Sequence, residues 1–265
     1  MTALPSYDAG RLGQLLAILP DVDAVELKLT VPYADHRRVV RALGVDPLDA
    51  VVRQVAFIDT PDRRLFDAGV VVRARRTQRK TGDLTVKLRP MLPADVPGGL
   101  RDRPGFKVEV DASPEGFVCS CSLTTEVSDR RVRELLAGPA EGRLEDRLED
   151  RLDRVLDAEQ RRMLYERLPE GVGPEDLRVL GPLTLLKVKA TPTGLSRKLV
   201  GELWFLPDGS HILELSTKAG PAEAFEVAAE TKVLLARHGL DLGAPQETKT
   251  RTALAVLAAE LEKEQ

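Results

Sequence analysis

Arg73 and Arg75 lie two residues apart in Gly69-Val-Val-Val-Arg-Ala-Arg-Arg76, and Thr85 and Lys87 repeat that spacing in Leu84-Thr-Val-Lys-Leu88. On a β-strand, residues two apart share a face. Lys80, Thr81, Gly82 and Asp83 between the two stretches are turn formers, so the segment reads as a hairpin. One of its surfaces then carries Arg, Arg and Lys, and the other Val72, Ala74, Leu84, Val86 and Leu88. Guanidinium and ammonium groups gathered on one face suit phosphate oxygens, Arg through its planar fork and Lys as a point charge.

The pattern recurs along the chain. Ala24-Val-Glu-Leu-Lys-Leu-Thr-Val31 alternates strictly, with Glu26, Lys28 and Thr30 on one side. Phe106 to Asp111 places Lys107, Glu109 and Asp111 together, and Thr184 to Ala190 places Lys187 with Lys189. Lys198–Phe205 and His211–Lys218 flank a Pro207-Asp-Gly turn and contribute Glu202, Glu214, Ser216 and Lys218. Val51 to Asp59 is a further strand. Helices are expected over 1–21, closed by Pro20, over Asp35–Gly44, over Pro221–His238, and over Thr250–Glu264 just after Lys249. Thr60 reads as the N-cap of a helical turn through Leu65, Phe66 and Ala68. Residues 90–105, rich in Pro and Gly, read as a long loop, either a lid or a mobile connection. Residues 128–168 form a helical insertion. At its centre an Arg-Leu-Glu-Asp near-repeat spaces Leu144, Leu148, Leu152 and Leu156 four apart, giving an amphipathic helix over 143–156 without evident chemistry.

The 265 residues carry a net charge of −3, which excludes a diffuse nucleic-acid surface. Between Arg53 and Lys107, however, thirteen Lys and Arg meet six Asp and Glu, as a confined anion site requires. Cys119 and Cys121 are two apart, too close for an unstrained disulfide, and read as reduced residues of a cytoplasmic protein. There is no signal-peptide pattern and no apolar run of membrane-spanning length. Zinc motifs, a Gly-rich phosphate loop, a Ser-His-Asp set and a dinucleotide fingerprint are all lacking.

Like charges at alternate positions on several strands fit a closed antiparallel barrel with a polar lumen. The ligand class is a compact polyanion. Lys28, Arg73, Arg75, Lys87, Lys187, Lys189 and Lys249 are the expected phosphate ligands, with Arg197, Lys218 and Arg251 at the mouths or on the closing helix. Glu26, Glu109, Glu202 and Glu214 make sense in such a place if they hold Mg²⁺ or Mn²⁺ beside phosphate, with Glu109 also able to anchor a neighbouring cation. The same residues could instead form a purely structural lattice of ion pairs.

Val25-Glu-Leu-Lys28, Phe57-Ile-Asp-Thr-Pro-Asp62, Leu65 to Gly69, Val72-Arg-Ala-Arg-Arg76, Leu84-Thr-Val-Lys-Leu88 and the Glu202/Glu214 hairpin follow one another over residues 22–255. In this order they resemble the CYTH, or triphosphate tunnel metalloenzyme, family. The resemblance implies an α+β fold built on a closed eight-stranded antiparallel β-barrel with surrounding helices, the whole of 1–265 forming one tunnel domain with C-terminal helices over 220–265. It further implies binding of tripolyphosphate or an organic triphosphate with Mg²⁺ or Mn²⁺, with Glu26, Lys28 and Lys87 at the reaction centre. Family members are often dimers, and a homodimer is among the arrangements it allows.

Two positions depart from the family pattern. Where it opens Glu-x-Glu-x-Lys this chain has Ala24, and where a late strand offers Glu-x-Glu it has Ser216. The cations remain while the carboxylates are thinned. A metal-dependent triphosphatase is therefore set against a non-catalytic triphosphate-binding module, and a class IV adenylate cyclase ranks last because no adenine pocket is visible.

Overall fold

Alternating polar and apolar residues build β1 (Ala24–Val31), β2 (Val51–Asp59), β3 (Val70–Thr77), β4 (Gly82–Leu88), β5 (Phe106–Ser113), β6 (Gly116–Val127), β7 (Arg178–Ala190), β8 (Leu199–Phe205) and β9 (His211–Ala219). The structure is a computed structural model, which describes residues 9–137, 147–240, 246 and 248–263. Its strands close into a barrel in the order β1-β5-β6-β4-β3-β2-β7-β8-β9, with β9 returning to β1. Neighbours are antiparallel except β1 and β5, which run parallel. The expected eight-stranded antiparallel barrel is thus corrected to nine strands. An odd number cannot alternate direction all the way round a closed ring, so one neighbouring pair must be parallel.

The additional strand is β6. Its inward positions carry Ser120, Ser122 and Thr124 instead of charges, so it lacks the signal that marks the others. β7 starts six residues before Thr184. It passes through Gly181, at φ 107°, and Pro182, where the pairing with β2 slips between Val55 and Phe57. A proline inside a sheet is tolerated at such an irregularity.

Helices α1 (Ala9–Ile18), α2 (His36–Ala42), α3 (Arg64–Asp67), α4 (Asp129–Leu136), α5 (Leu148–Val155), α6 (Ala158–Tyr165), α7 (Ala224–Arg237) and α8 (Lys249–Lys263) surround the barrel. Outward-facing Val72, Ala74, Leu84, Val86, Cys119, Cys121 and Leu123 pack against Val132 and Leu135 of α4, Leu152 of α5 and Leu164 of α6. Both thiols are buried in this layer, and burial pushes Cys121 up to about 11. A second outer layer joins β1, β8 and β9 to α2 and α7 through Leu29, Leu215, Val39 and Leu234. Among the described residues the insertion comprises three short helices, of which α5 lies within the stretch expected as an amphipathic helix over 143–156. The stripe holds where it is described, with Leu148, Leu152 and Leu156 turned to the core. The first copy of the repeat, with Leu144, lies outside the described residues. Residues 90–105 are anchored to the outer layer by Met91 and Leu100, which are buried in it.

The turn after β2 is organised by Asp59 more than by Thr60. The buried Asp59 carboxyl accepts from the backbone N–H of Thr60, Leu65 and Phe66, while the Thr60 hydroxyl accepts from Arg64 N. The body of α8 seats one end of the barrel. Leu254 and Leu257 pack among Phe57, Leu185 and Trp204, which point inward from β2, β7 and β8. This apolar plug fixes Lys249, at the start of the helix, over the lumen. Leu254→Ala should cost about 2–5 kcal/mol, as for other buried leucines. A denaturant titration reads it, and a loss below about 1 kcal/mol would mean that α8 is not seated this way.

Candidate functional site

Inside the barrel the inward positions of β1–β5, β7, β8 and β9, with the first residue of α8, form four clusters of ion pairs. Lys28 bridges Glu26 at 3.4 Å and Asp111 at 2.8 Å, and Lys87 takes the second oxygen of Asp111 at 2.8 Å. Lys218 holds Glu109 at 2.8 Å. On the opposite side Arg75 Nε donates to Asp83 at 2.8 Å, and Arg73 lies 3.9 Å from that carboxylate and bonds the Thr85 hydroxyl. Glu202 accepts from Lys187 at 3.0 Å and from Lys249 at 2.6 Å, with Arg53 at 3.5 Å. Lys249 also lies 2.6 Å from Glu214.

Strand register explains these encounters. Lys187, Glu202 and Glu214 are direct cross-strand neighbours on β7, β8 and β9. Glu26 stands between Asp111 on β5 and Lys218 on β9. Arg75 opposes Asp83 across the β3–β4 hairpin.

Burial sets the electrostatics. It would raise the Asp111 carboxyl, but Lys28 and Lys87 outweigh it and hold it far below the ordinary carboxylate range. Glu202 is held down in the same way by Lys249 and Lys187, and Glu26 by Lys28 and Lys218. Burial, with Arg75 adding to it, brings the Arg73 guanidinium down to about 10. It lowers Lys87 and Lys187 as well. Lys28 is instead raised, because Asp111 and Glu26 overcome its desolvation.

Across these four clusters, among the described residues, eight cations meet six carboxylates. On the arginine side three cations face Asp83 and a share of Glu202; there Asp83 Oδ1 finds no donor, and the buried Nε atoms of Arg53 and Arg73 find no acceptor. Trp204 Nε1 is likewise buried without one, and Lys249 Nζ sits 5.3 Å from the centre of the Trp204 ring. Donors in such a state are ready for an anion's oxygens. A cavity of about 490 Å³ opens on the lysine side, against Lys28, Arg89, Asp111, Glu214 and Lys249, and its lining does not include Arg53, Arg73 or Trp204.

Of the expected phosphate ligands, Lys28, Arg73, Arg75, Lys87, Lys187 and Lys249 are brought together. Lys189 is not: it lies exposed near the end of β7, outside the ion pairs found among the described residues. Arg197 pairs with Glu223 at 3.2 Å, outside the lumen clusters, and Arg251 is exposed over the Phe66 ring. Arg53, Asp83 and Asp111 were missed. Arg53 has no second like-charged residue on its strand, Asp83 reads as a turn residue, and Asp111 ends its predicted strand.

The four carboxylates expected to hold a metal fall into two groups, Glu26 with Glu109 and Glu202 with Glu214. Each has a lysine against it. Among the described residues, no three His, Cys, Asp or Glu side chains converge as a metal site would need. These residues therefore do not fit a resident Mg²⁺ or Mn²⁺.

No family model and no curated protein matches the sequence. Solved structures do match. One is a protein from Hippeastrum, reported as a putative adenylyl cyclase that reveals a dominant triphosphatase activity; it is 16% identical with a TM-score of 0.59, over 87% of this chain and 94% of that one. Another is a putative adenylate cyclase from Bacillus halodurans, 14% identical with a TM-score of 0.54, over 87% of this chain and 97% of that one. At these identities the likeness is one of fold, and it meets the resemblance read from the sequence: the chain has the barrel fold of CYTH-type adenylate cyclase and triphosphatase proteins.

Proposed function

We propose that the lumen binds tripolyphosphate or an organic triphosphate and hydrolyses its phosphoanhydride. The observation that carries this reading is the inward convergence of Lys28, Arg53, Arg73, Arg75, Lys87, Lys187 and Lys249 with more cations than carboxylates among them. Phosphoryl transfer asks little of a protein beyond position and charge. Donors fixed around the phosphate oxygens neutralise the charge that develops as the bond breaks. Arg73, Arg75 and Arg53 would grip one end of the chain of phosphates. Lys28 and Lys87 would face the scissile bond, where Glu26, kept ionised by Lys28 and Lys218, can accept a hydrogen bond from the attacking water. Mg²⁺ or Mn²⁺ would enter as the counter-ion of the triphosphate, as part of the substrate.

A second reading, a module that binds triphosphate without cleaving it, is favoured by the lysine held against every one of the four candidate carboxylates. A phosphate-release panel on tripolyphosphate, ATP and thiamine triphosphate, with Mn²⁺ or with EDTA and with cyclic AMP measured alongside, separates the two. Release that is lost in Lys87→Ala supports the hydrolase. Saturable binding without release supports the module. Absence of both rejects the proposal.

Each cation makes charge-assisted bonds of about 1.5–3 kcal/mol, so Arg75→Ala or Lys87→Ala should weaken tripolyphosphate binding by about tenfold or more in calorimetry. An unchanged affinity would remove that residue from the site. Binding should decline on the alkaline side, beginning below the ordinary lysine range, because burial lowers Lys87 and Lys187 and each loses its charge as pH rises. A decline already complete near neutral pH would point to some other titrating group.

A further inference from the structure

Glu202 and Glu214 stand directly opposite each other on β8 and β9, with both side chains on the lumenal face. Like charges in that relation repel, and here both are largely withdrawn from water. One group answers both. Lys249 Nζ lies 2.6 Å from Glu202 Oε2 and 2.6 Å from Glu214 Oε1, so a single ammonium is shared between the two carboxylates. Lysine is an awkward choice for the first residue of a helix, because the helix N-terminus itself carries positive partial charge. Its position there is intelligible only through the two carboxylates it meets. The side chain is also held from behind, its ammonium over the Trp204 ring and the body of its helix seated on Phe57 and Leu185.

We infer that Lys249 is a tethered cation occupying the place between Glu202 and Glu214 that a divalent metal ion would otherwise take, so that this half of the lumen binds its polyanion without a metal of its own. The inference rests on the lumen being a polyanion site only for its second half; the place of Lys249 stands on the geometry alone. An ammonium satisfies the same two oxygens as a divalent ion and can donate its remaining hydrogen to a phosphate oxygen. Unlike a metal it supplies no open coordination position for water. Glu202 already receives Lys187 and Arg53 as well, so a divalent ion would have to displace charge that the pocket holds covalently. Burial opposes the charge on Lys249, but Glu214 and Glu202 together outweigh it and keep the ammonium protonated.

The test titrates Mn²⁺ alone into the full chain, with free Mn²⁺ read by electron paramagnetic resonance and no phosphate present. Wild type should leave the Mn²⁺ signal undiminished. Lys249→Ala and Lys249→Gln should each gain one Mn²⁺ site at least about tenfold tighter than any wild-type binding, while Lys249→Arg should behave as wild type. Stoichiometric Mn²⁺ uptake by the wild type, a result that needs no variant, would overturn the inference. So would folded Lys249→Ala and Lys249→Gln proteins that gain no site. In parallel, calorimetry of tripolyphosphate with wild type should still give saturable binding in EDTA, and binding seen in Mn²⁺ but lost in EDTA would overturn the metal-free binding. If tripolyphosphate binds in neither condition, the proposed function fails, and the Mn²⁺ titration still decides the place of Lys249.

Discussion

Closing a sheet into a barrel takes water away from whatever its inner face carries, and every charge placed there needs a partner. That constraint governs this molecule. The inner face of the strands holds seven paired cations and α8 adds Lys249 as an eighth, and a desolvated ammonium or guanidinium would be costly alone. The carboxylates Glu26, Asp83, Glu109, Asp111, Glu202 and Glu214 are spaced so that strand register delivers one to each cationic cluster. The lattice is incomplete on the side of Arg53 and Arg73, and the donors left over there make the interior attractive to an anion. A structural lattice and a binding site are thus the same object: the pairs keep the empty barrel folded, and the surplus provides the affinity.

The helices settle where the ligand can go. The outer layers, with α2, α4, α5, α6 and α7, cover the apolar side of the sheet and leave the lumen alone. α8 is different. Its apolar body meets inward-facing Phe57, Leu185 and Trp204, and its first residue reaches the charged interior. One element therefore seals part of the barrel and supplies a cation to it. The shared ammonium of Lys249 also gives physical content to the two sequence departures. With Ala24 and Ser216 in place of carboxylates, each of Glu26, Glu109, Glu202 and Glu214 has a lysine against it.

Much of this was legible in the sequence because charge alternation is a strong signal. β1, β3, β4, β5 and β9 announce themselves by two or more polar residues at alternate positions, and their inward faces are the ones observed. β6 was illegible because Ser, Thr and Cys at alternate positions look the same on either face of a strand. The early part of β7 was hidden by Pro182, which reads as a break and is accommodated at a slip in register. The cationic half of the site followed from type and spacing, whereas its pairing did not. Asp111 between Lys28 and Lys87, and Lys249 between Glu202 and Glu214, join residues distant in sequence through register and helix docking. For the same reason the carboxylates read as metal ligands are found held by lysines instead.

The central claim is that the inward cations are arranged for a polyphosphate. The single tryptophan of the chain, Trp204, reports on it directly, because it lies in the lumen with Lys249 over its ring. Titration of tripolyphosphate against Trp204 fluorescence should give a saturable one-to-one change that weakens with added salt and that sulfate does not reproduce. A flat titration, or an equal response to sulfate, would contradict the account.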